Sequence, residues 1–297
     1  MQLALNILLI TKKGGIKHME DFKHTLGSLF SIPDVRDYVA HSNKSDDEIP
    51  KEFTLSYLPA IKNQGAVGSC VAHSLATVAE YYTKKETGKK TKMSTGYIYG
   101  NRMFSTHKGS GMYTRDALKT MTKYGDVPYE YFPDNVEVPY AIELFEQKVE
   151  EIEPLGYNFK FKAYYKLTDE KAIKTHLLSG NPVVMAMPWY DDIKIIDGVM
   201  VTKQVKTKKT GGHCMVIIGW NEIGWVVQNS WGTLWGNKGR FILPYDVTIR
   251  ETWGPTDAEP GDEITIKKPF STPCGRFLAT IINKVISWVY NLIHKNK

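Results

Sequence analysis

The chain has 297 residues, of which 42% are hydrophobic and 24% charged, and its formal net charge is +6. This composition excludes a collagen-like or wholly disordered chain and predicts a folded globular protein with a substantial core. This net charge is smaller than that typical of proteins with a concentrated basic surface for nucleic acid, so we expect no nucleic-acid partner. The cysteines are too few and too scattered for a disulfide scaffold or a zinc ribbon: Cys70, Cys214 and Cys274.

Residues 1–48 show little hydrophobic periodicity and precede the packed body, which we expect to begin near Pro50. The apolar run at 3–10 comes before the first lysines, whereas a secretory signal places its positive charge first. We therefore expect no secretory signal, and we interpret 1–48 as an N-terminal extension or a short pro-segment.

The first half of the chain carries helical patterns. Apolar residues at helical spacing over 70–85 predict a buried helix that begins at or next to Cys70. Similar patterns occur at 94–104, 114–124 and 169–179. We therefore expect a mainly helical lobe over about 65–160.

From Pro182 onward, short β-branched or aromatic runs are separated by glycines, which is typical of antiparallel strands. Helices followed by strands, without regular β–α–β alternation, predict an α+β protein whose β lobe covers about 161–253. A cleft between the two lobes is a natural place for a functional site. Residues 254–297 remain as a C-terminal tail.

Cys70 is a candidate nucleophile. The exposed amides and the dipole at a helix start stabilise a thiolate and should lower the thiol pKa. A lone cysteine there is more often a small buried hydrophobic residue, but its neighbours favour chemistry. The preceding string NQGAVGSC contains Gln64, whose side-chain amide could join the Cys70 backbone amide in stabilising an oxyanion.

His213 and Asn229 are candidate partners of this cysteine. His213 begins a hydrophobic strand in GGHCMVIIGW, and Asn229 follows another in VVQNSWGTLWG, which suits a hairpin. An amide oxygen that accepts the second imidazole N–H fixes the tautomer that an acid–base catalyst requires. Trp231 could shield that hydrogen bond from water. His73, three residues after Cys70, is an alternative base, although a buried structural role is the interpretation we favour.

These blocks resemble those of the papain-like cysteine proteases, in a prokaryotic or viral-type branch. The block around the nucleophile, Gln-Gly-x-Cys-Gly-Ser-Cys-Trp in the family, stands at 64–71 as QGAVGSCV. The asparagine block at 229–232, NSWG, followed by WG at 235–236, matches without change. The resemblance covers about 50–253.

The resemblance implies a two-lobed papain-like fold, with a helical left lobe, an antiparallel β-sheet or barrel right lobe, and the active-site cleft between them. It implies a cysteine-type endopeptidase that needs no metal or cofactor and acts on a peptide or protein through an acyl-enzyme. By this likeness Cys70 is the nucleophile, His213 the acid/base, Asn229 the orienting residue and Gln64 the oxyanion donor. Two alternatives stay open: a catalytically idle module that binds peptides or anchors a partner, and an acyl transferase or peptide ligase using the same site.

The chain departs from the family pattern at two positions. Val67 stands where secreted members usually have a disulfide cysteine, which favours a cytoplasmic or other reducing compartment, or a prokaryotic or viral branch. Val71 replaces the tryptophan after the nucleophile and removes no catalytic atom.

The likeness also suggests substrate-binding residues. Gly111 and Met112 lie in a segment that resembles the one whose backbone pairs with an extended substrate. Ala186 and Cys214 are candidates for a pocket that would favour a hydrophobic substrate side chain, and Trp231 is the remaining candidate of this group.

Residues 276–294 predict an amphipathic helix. One interpretation is that it docks against the protein body or against a second copy. The other is shallow insertion at a membrane surface, assisted by the basic residues Arg276, Lys284, Lys295 and Lys297.

Overall fold

A computed structural model describes residues 24–203, 208–259, 261–267 and 273–294, and within the last segment it describes the side chains of 279–291. The α-helices are α1 Cys70–Thr87, α2 Thr95–Gly100, α3 Thr114–Lys123, α4 Tyr140–Gly156, α5 Glu170–Leu178 and α6 Pro273–His294. The strands are β1 Ser28–Leu29, β2 Val39–Ser42, β3 Phe53–Thr54, β4 Met112–Tyr113, β5 Ala163–Leu167, β6 Val183–Tyr190, β7 Lys194–Ile196, β8 Val199–Val201, β9 Lys209–Trp220, β10 Gly224–Gln228, β11 Arg240–Pro244, β12 Glu251–Thr256 and β13 Ile264–Lys267.

Helix α1 lies at the centre of the molecule. Every residue from 70 to 83 is buried, because the helix packs against α2 and α3 on one side and against β9 on the other. Most residues of this stretch are small or apolar, which suits such a position, and its buried carboxylate, Glu80, is paired with Lys62. It ends at Gly88, whose left-handed backbone (φ 71°) lets its N–H bond to the carbonyl of Lys84.

The main sheet has eleven strands. Ten follow the order β13-β2-β5-β12-β6-β9-β10-β11-β8-β7, and the eleventh, β3, pairs with the C-terminal end of β9. All pairings are antiparallel except β2 with β5 and β11 with β8. Strands β9 and β10 form the predicted hairpin. Helices packed against a mostly antiparallel sheet confirm the predicted α+β class.

The predicted helices are present with shorter ends, as α2, α3 and α5 show. Helix α4 is an element that the sequence analysis missed. It buries only Ala141, Phe145, Ile152 and Gly156, and prolines stand before it and inside it, at Pro139 and Pro154. Sparse apolar residues between two prolines gave no clear helical pattern.

The sheet also includes strands from both flanking segments. Strand β2 pairs with β13 on one side and with β5 on the other, and Ala40 within it is buried. The sheet therefore extends beyond the limits that we predict for the central domain, 49–253. Four-residue strands are too short for their alternation to stand out in a sequence. Residues 1–23 of the predicted extension lie outside the described residues.

Candidate active site

The turn that precedes α1 holds Cys70 against β9. The backbone of Gln64 is tied to the carbonyl of Ser230, and the turn closes through a bond from the Val67 N–H to the Gln64 carbonyl. The backbone N–H groups of Gly27 and of Cys214, the residue that follows His213, act to lower the pKa of the Cys70 thiol and so lie near its sulfur. Helix α1, which begins with the candidate nucleophile, therefore packs against the strand that carries the candidate base.

The Cys70 thiol is fully buried, and burial raises its pKa to about 11, although backbone hydrogen bonds oppose the rise. A position at a helix start predicts a lowered thiol pKa, and in the present arrangement that prediction is wrong. Removing water from an anionic sulfur destabilises the thiolate by more than the backbone amides and the helix dipole stabilise it. The sulfur is therefore a neutral thiol here.

His213 lies on β9 and is fully buried. Its Nε2–H donates to Oδ1 of Asn229 at 2.8 Å, so Nδ1 is the ring nitrogen left with a free lone pair. Nδ1 is buried and has no hydrogen-bond partner among the described residues. Burial lowers the pKa of His213 to about 4, while the bond to Asn229 opposes the change. A neutral imidazole with a free Nδ1 can accept a proton.

Asn229 is fixed at the end of β10. Its N–H bonds to the carbonyl of Gly239, and its Oδ1 also accepts the Ser230 N–H at 2.8 Å. Trp231 stacks on the His213 ring, with centroids 4.5 Å apart, and Trp189 meets the same ring edge-on at 5.1 Å. The two indoles exclude water from the imidazole and its hydrogen bond.

Gln64 is buried and its amide is oriented by Ser230, whose hydroxyl donates to Oε1 at 2.8 Å. Nε2 donates to the carbonyls of Val67 and Thr25, both at 2.9 Å. The side chain predicted to bind an oxyanion is thus already bonded to a peptide carbonyl. Ser230 is a positioning residue that the sequence analysis missed, although it lies inside the NSWG block.

Residues 24–31, which we call the N-terminal arm, run through the cleft. His24 stacks on Trp231 with centroids 4.7 Å apart, and the Gly27 carbonyl accepts the Met112 N–H at 2.9 Å. Strand β1 of the arm then pairs in parallel with β4. A β-carbon on Gly27 would clash with the carbonyl of Gly68, so glycine permits this close approach. The arm covers Cys70 and the backbone edge beside it.

The candidate substrate-binding residues have different surroundings. Met112 pairs with the arm, whereas both backbone groups of Gly111 bond within its own lobe: its N–H to Tyr99 and its carbonyl to Arg102. Gly111 is therefore not free to pair with a peptide.

Ala186 lies directly opposite Cys214 across β6 and β9, and both are buried. Their role as a pocket stays a prediction.

His73 has the surroundings of a structural histidine. Its Nδ1 is hydrogen-bonded to the backbone carbonyl and the hydroxyl of Ser69, and burial lowers its pKa to about 4. Within the described part of the chain, no group of three or more His, Cys, Asp or Glu side chains could hold a metal ion.

Comparison with known proteins gives a consistent result. Residues 50–251 match the sequence model of the family described as papain family cysteine protease. The chain is 30% identical over 218 residues to an uncharacterized peptidase C1-like protein of Acanthamoeba polyphaga mimivirus, covering 69% of this chain and 70% of that protein. It is 29% identical over 199 residues to a cysteine protease of the mite Blomia tropicalis, covering 61% and 56% of the two chains.

Among solved structures, the fold is similar to that of xylellain, a cysteine protease from Xylella fastidiosa. The TM-score is 0.68 at 21% identity, over 80% of this chain and 97% of that one. The similarity confirms the predicted two-lobed architecture.

Proposed function

Because the chain belongs to the papain family of cysteine proteases, we propose that it cleaves peptide bonds through a covalent acyl-enzyme on Cys70. The protein is a cysteine peptidase, and the assignment of each step to a side chain is our proposal. The bond between His213 and Asn229 carries the assignment, because it leaves Nδ1 of a buried, neutral imidazole free to take a proton.

In the first half-reaction, Nδ1 of His213 removes the thiol proton while the sulfur attacks the peptide carbonyl. The tetrahedral oxyanion is stabilised by Nε2 of Gln64. Collapse of this intermediate breaks the C–N bond, and the imidazolium returns its proton to the leaving amine. A thioester then joins Cys70 to the acyl half of the substrate.

In the second half-reaction, His213 deprotonates a water molecule that attacks the thioester carbonyl. The sulfur leaves and recovers a proton from the imidazolium, and the acid product is released. Asn229 acts as a positioning residue throughout, because its Oδ1 holds Nε2–H and so fixes which ring nitrogen exchanges protons.

We further propose that the N-terminal arm is an inhibitory pro-segment. The Thr25 carbonyl takes the Gln64 amide, and the Gly27 carbonyl takes the Met112 N–H, so both groups are unavailable to a substrate. Once the arm leaves, water reaches Cys70 and the burial that raises its pKa is reduced. Release of the arm would thus open the cleft and make the sulfur easier to ionise.

The test is covalent labelling with an epoxide thiol inhibitor followed by peptide mapping. A variant that lacks residues 1–31 and begins at residue 32 should be labelled on Cys70. The same variant with Cys70→Ala should lose both the label and peptide cleavage. Label on Cys214 would contradict the assignment. A shortened, folded variant that takes label but cleaves no peptide in a mixed library would indicate an idle binding module. Product masses measured with an added amine separate hydrolysis from acyl transfer.

A further inference from the structure

Helix α6 exposes a continuous apolar stripe. Its members recur at positions i, i+4, i+7 and i+8, so they lie on one side of the helix. Their exposed fractions are 45% for Ile281, 55% for Val285, 65% for Trp288 and 39% for Val289. Tryptophan, with an apolar ring and a polar N–H, is the side chain most suited to a boundary between water and hydrocarbon.

A polar residue attaches the helix to the rest of the protein. Nδ2 of Asn283 donates to Oδ1 of Asp34 at 2.6 Å, and its Oδ1 accepts the Val35 N–H at 3.0 Å. Although burial opposes it, hydrogen bonds from Arg36 and Asn283 lower the pKa of Asp34 to about 2, so the acceptor is a carboxylate. Ala279 is buried on this attached side. The attachment thus turns the polar edge inward and the stripe outward.

The segment that contains α6 carries a net positive charge. From residue 264 to the C-terminus the sequence contains no acidic residue and six basic ones, a number equal to the formal net charge of the whole chain: Lys267, Lys268, Arg276, Lys284, Lys295 and Lys297. Lys284 is exposed and lies one turn from both Ile281 and Trp288, at the flank of the stripe. An apolar stripe with Lys284 at its flank, in a segment of net positive charge, is complementary to an anionic lipid surface.

We infer that α6 binds an anionic membrane surface, lying parallel to it with Ile281, Val285 and Trp288 inserted among the lipids. Among the described helices none is long and apolar enough to cross a bilayer. Neutral lipid alone would bury the apolar stripe but would not attract the basic residues. The affinity for vesicles should therefore increase with anionic lipid and decrease with salt.

The position of the helix relates this surface to the cleft. The helix is attached at Asp34 and Val35, which follow the N-terminal arm by three and four residues. Strand β4 is the edge on which the arm pairs. A protein bound through α6 therefore holds its cleft near the lipid surface, where membrane-anchored polypeptides would be its accessible substrates.

The experiment is vesicle co-sedimentation of the full chain carrying Cys70→Ala, so that the result is independent of peptidase activity. Vesicles contain phosphatidylcholine with or without 30% phosphatidylserine. We expect binding to the anionic vesicles, at least about tenfold weaker for Val285→Glu/Trp288→Glu and weaker for Lys284→Glu. The control is Ile196→Glu/Ile223→Glu, which places the same two negative charges at similarly exposed apolar residues outside α6 and should bind normally.

Point variants are preferable to truncation, because removing α6 also removes the bonds from Asn283 to Asp34 and Val35. Equal binding of the stripe variant and the parent would overturn the inference, as would equal binding to neutral and anionic vesicles. Analytical ultracentrifugation provides the second measurement. A protein that ignores vesicles but forms a dimer, which Val285→Glu/Trp288→Glu separates into monomers, would make the stripe an interface between copies and would also overturn it.

Discussion

Nε2 of Gln64 and the carbonyl oxygen of Thr25 lie 2.9 Å apart, so the side chain assigned to oxyanion binding is bonded to a peptide group of its own chain. The Gly27 carbonyl of the same arm accepts the Met112 N–H, and the Gly27 N–H acts to lower the pKa of the Cys70 thiol. The arm therefore occupies the hydrogen-bonding groups of the cleft, and not merely its volume.

Displacement of the arm should activate the site. Gly27→Val introduces a side chain where Gly68 leaves no room, so the arm can no longer lie over Cys70. We expect covalent labelling of Cys70 to be at least about tenfold faster, because the open state is then no longer a minor population. Thr25→Val is the control, since it changes an exposed side chain and keeps the carbonyl that Gln64 binds.

Deletion tests the same point in another way. Removal of residues 1–48 also removes β2, which pairs with β5 and β13 and contains the buried Ala40. Deletion of 1–31 spares that strand and should accelerate labelling without loss of the folded state. Slower labelling of a folded protein would make the arm a structural support.

Loss of the oxyanion donor should reduce turnover. Gln64→Glu keeps an oxygen for the Ser230 hydroxyl but replaces the Nε2 donor with a second acceptor. We expect kcat to fall by about 10²–10³-fold, as for other oxyanion donors, with a smaller change in KM. The assay uses protein freed of its arm. An unchanged kcat would remove Gln64 from the mechanism.

Asn229 should control the proton affinity of His213. In Asn229→Asp, a carboxylate would face Nε2–H and favour the imidazolium, which raises the pKa of His213 above its present value of about 4. The pH profile of kcat/KM should show this group titrating at higher pH. Asn229→Ala removes the orienting oxygen and should reduce kcat at least about tenfold without that displacement.

Stability should fall on acidification through three buried histidines. Burial lowers the pKa of His73, His176 and His213 to about 4, against 6.5 in an unfolded chain. Between those values the unfolded chain binds more protons, so stability increases with pH across that window and is lost as pH falls through it. Each histidine contributes at most about 1.4 kcal/mol per pH unit, and buried Asp126, whose pKa is raised, opposes the trend.

Urea denaturation at pH 7 and pH 5 measures this effect. His176→Gln retains a donor for the Pro255 carbonyl and cannot titrate, so it should reduce the difference between the two pH values. A free energy of unfolding that is the same at both pH values would contradict the prediction.

The sequence predicted α1, the β9–β10 hairpin and the three catalytic blocks because each depends on local pattern or on a distinctive string. The arm was predicted as an extension or a short pro-segment, without its contacts. Gly27 and Ser28 bear no hydrophobic pattern, and β1 pairs with a strand more than eighty residues away. Strands β2 and β13 lie even further apart in sequence, and the pKa of Cys70 depends on burial by such distant segments. Pairing between distant segments determines these features.

The hydrogen bond between Asn283 and Asp34 joins helix α6 to the segment that follows the N-terminal arm. The arm that we propose to be inhibitory ends three residues before Asp34, and the helix that we propose to bind lipid carries Asn283. Removal of residues 1–31 leaves this bond in place, whereas trimming past Asp34 or past Asn283 would break it. Through this bond, loss of either segment would release the other from its present position.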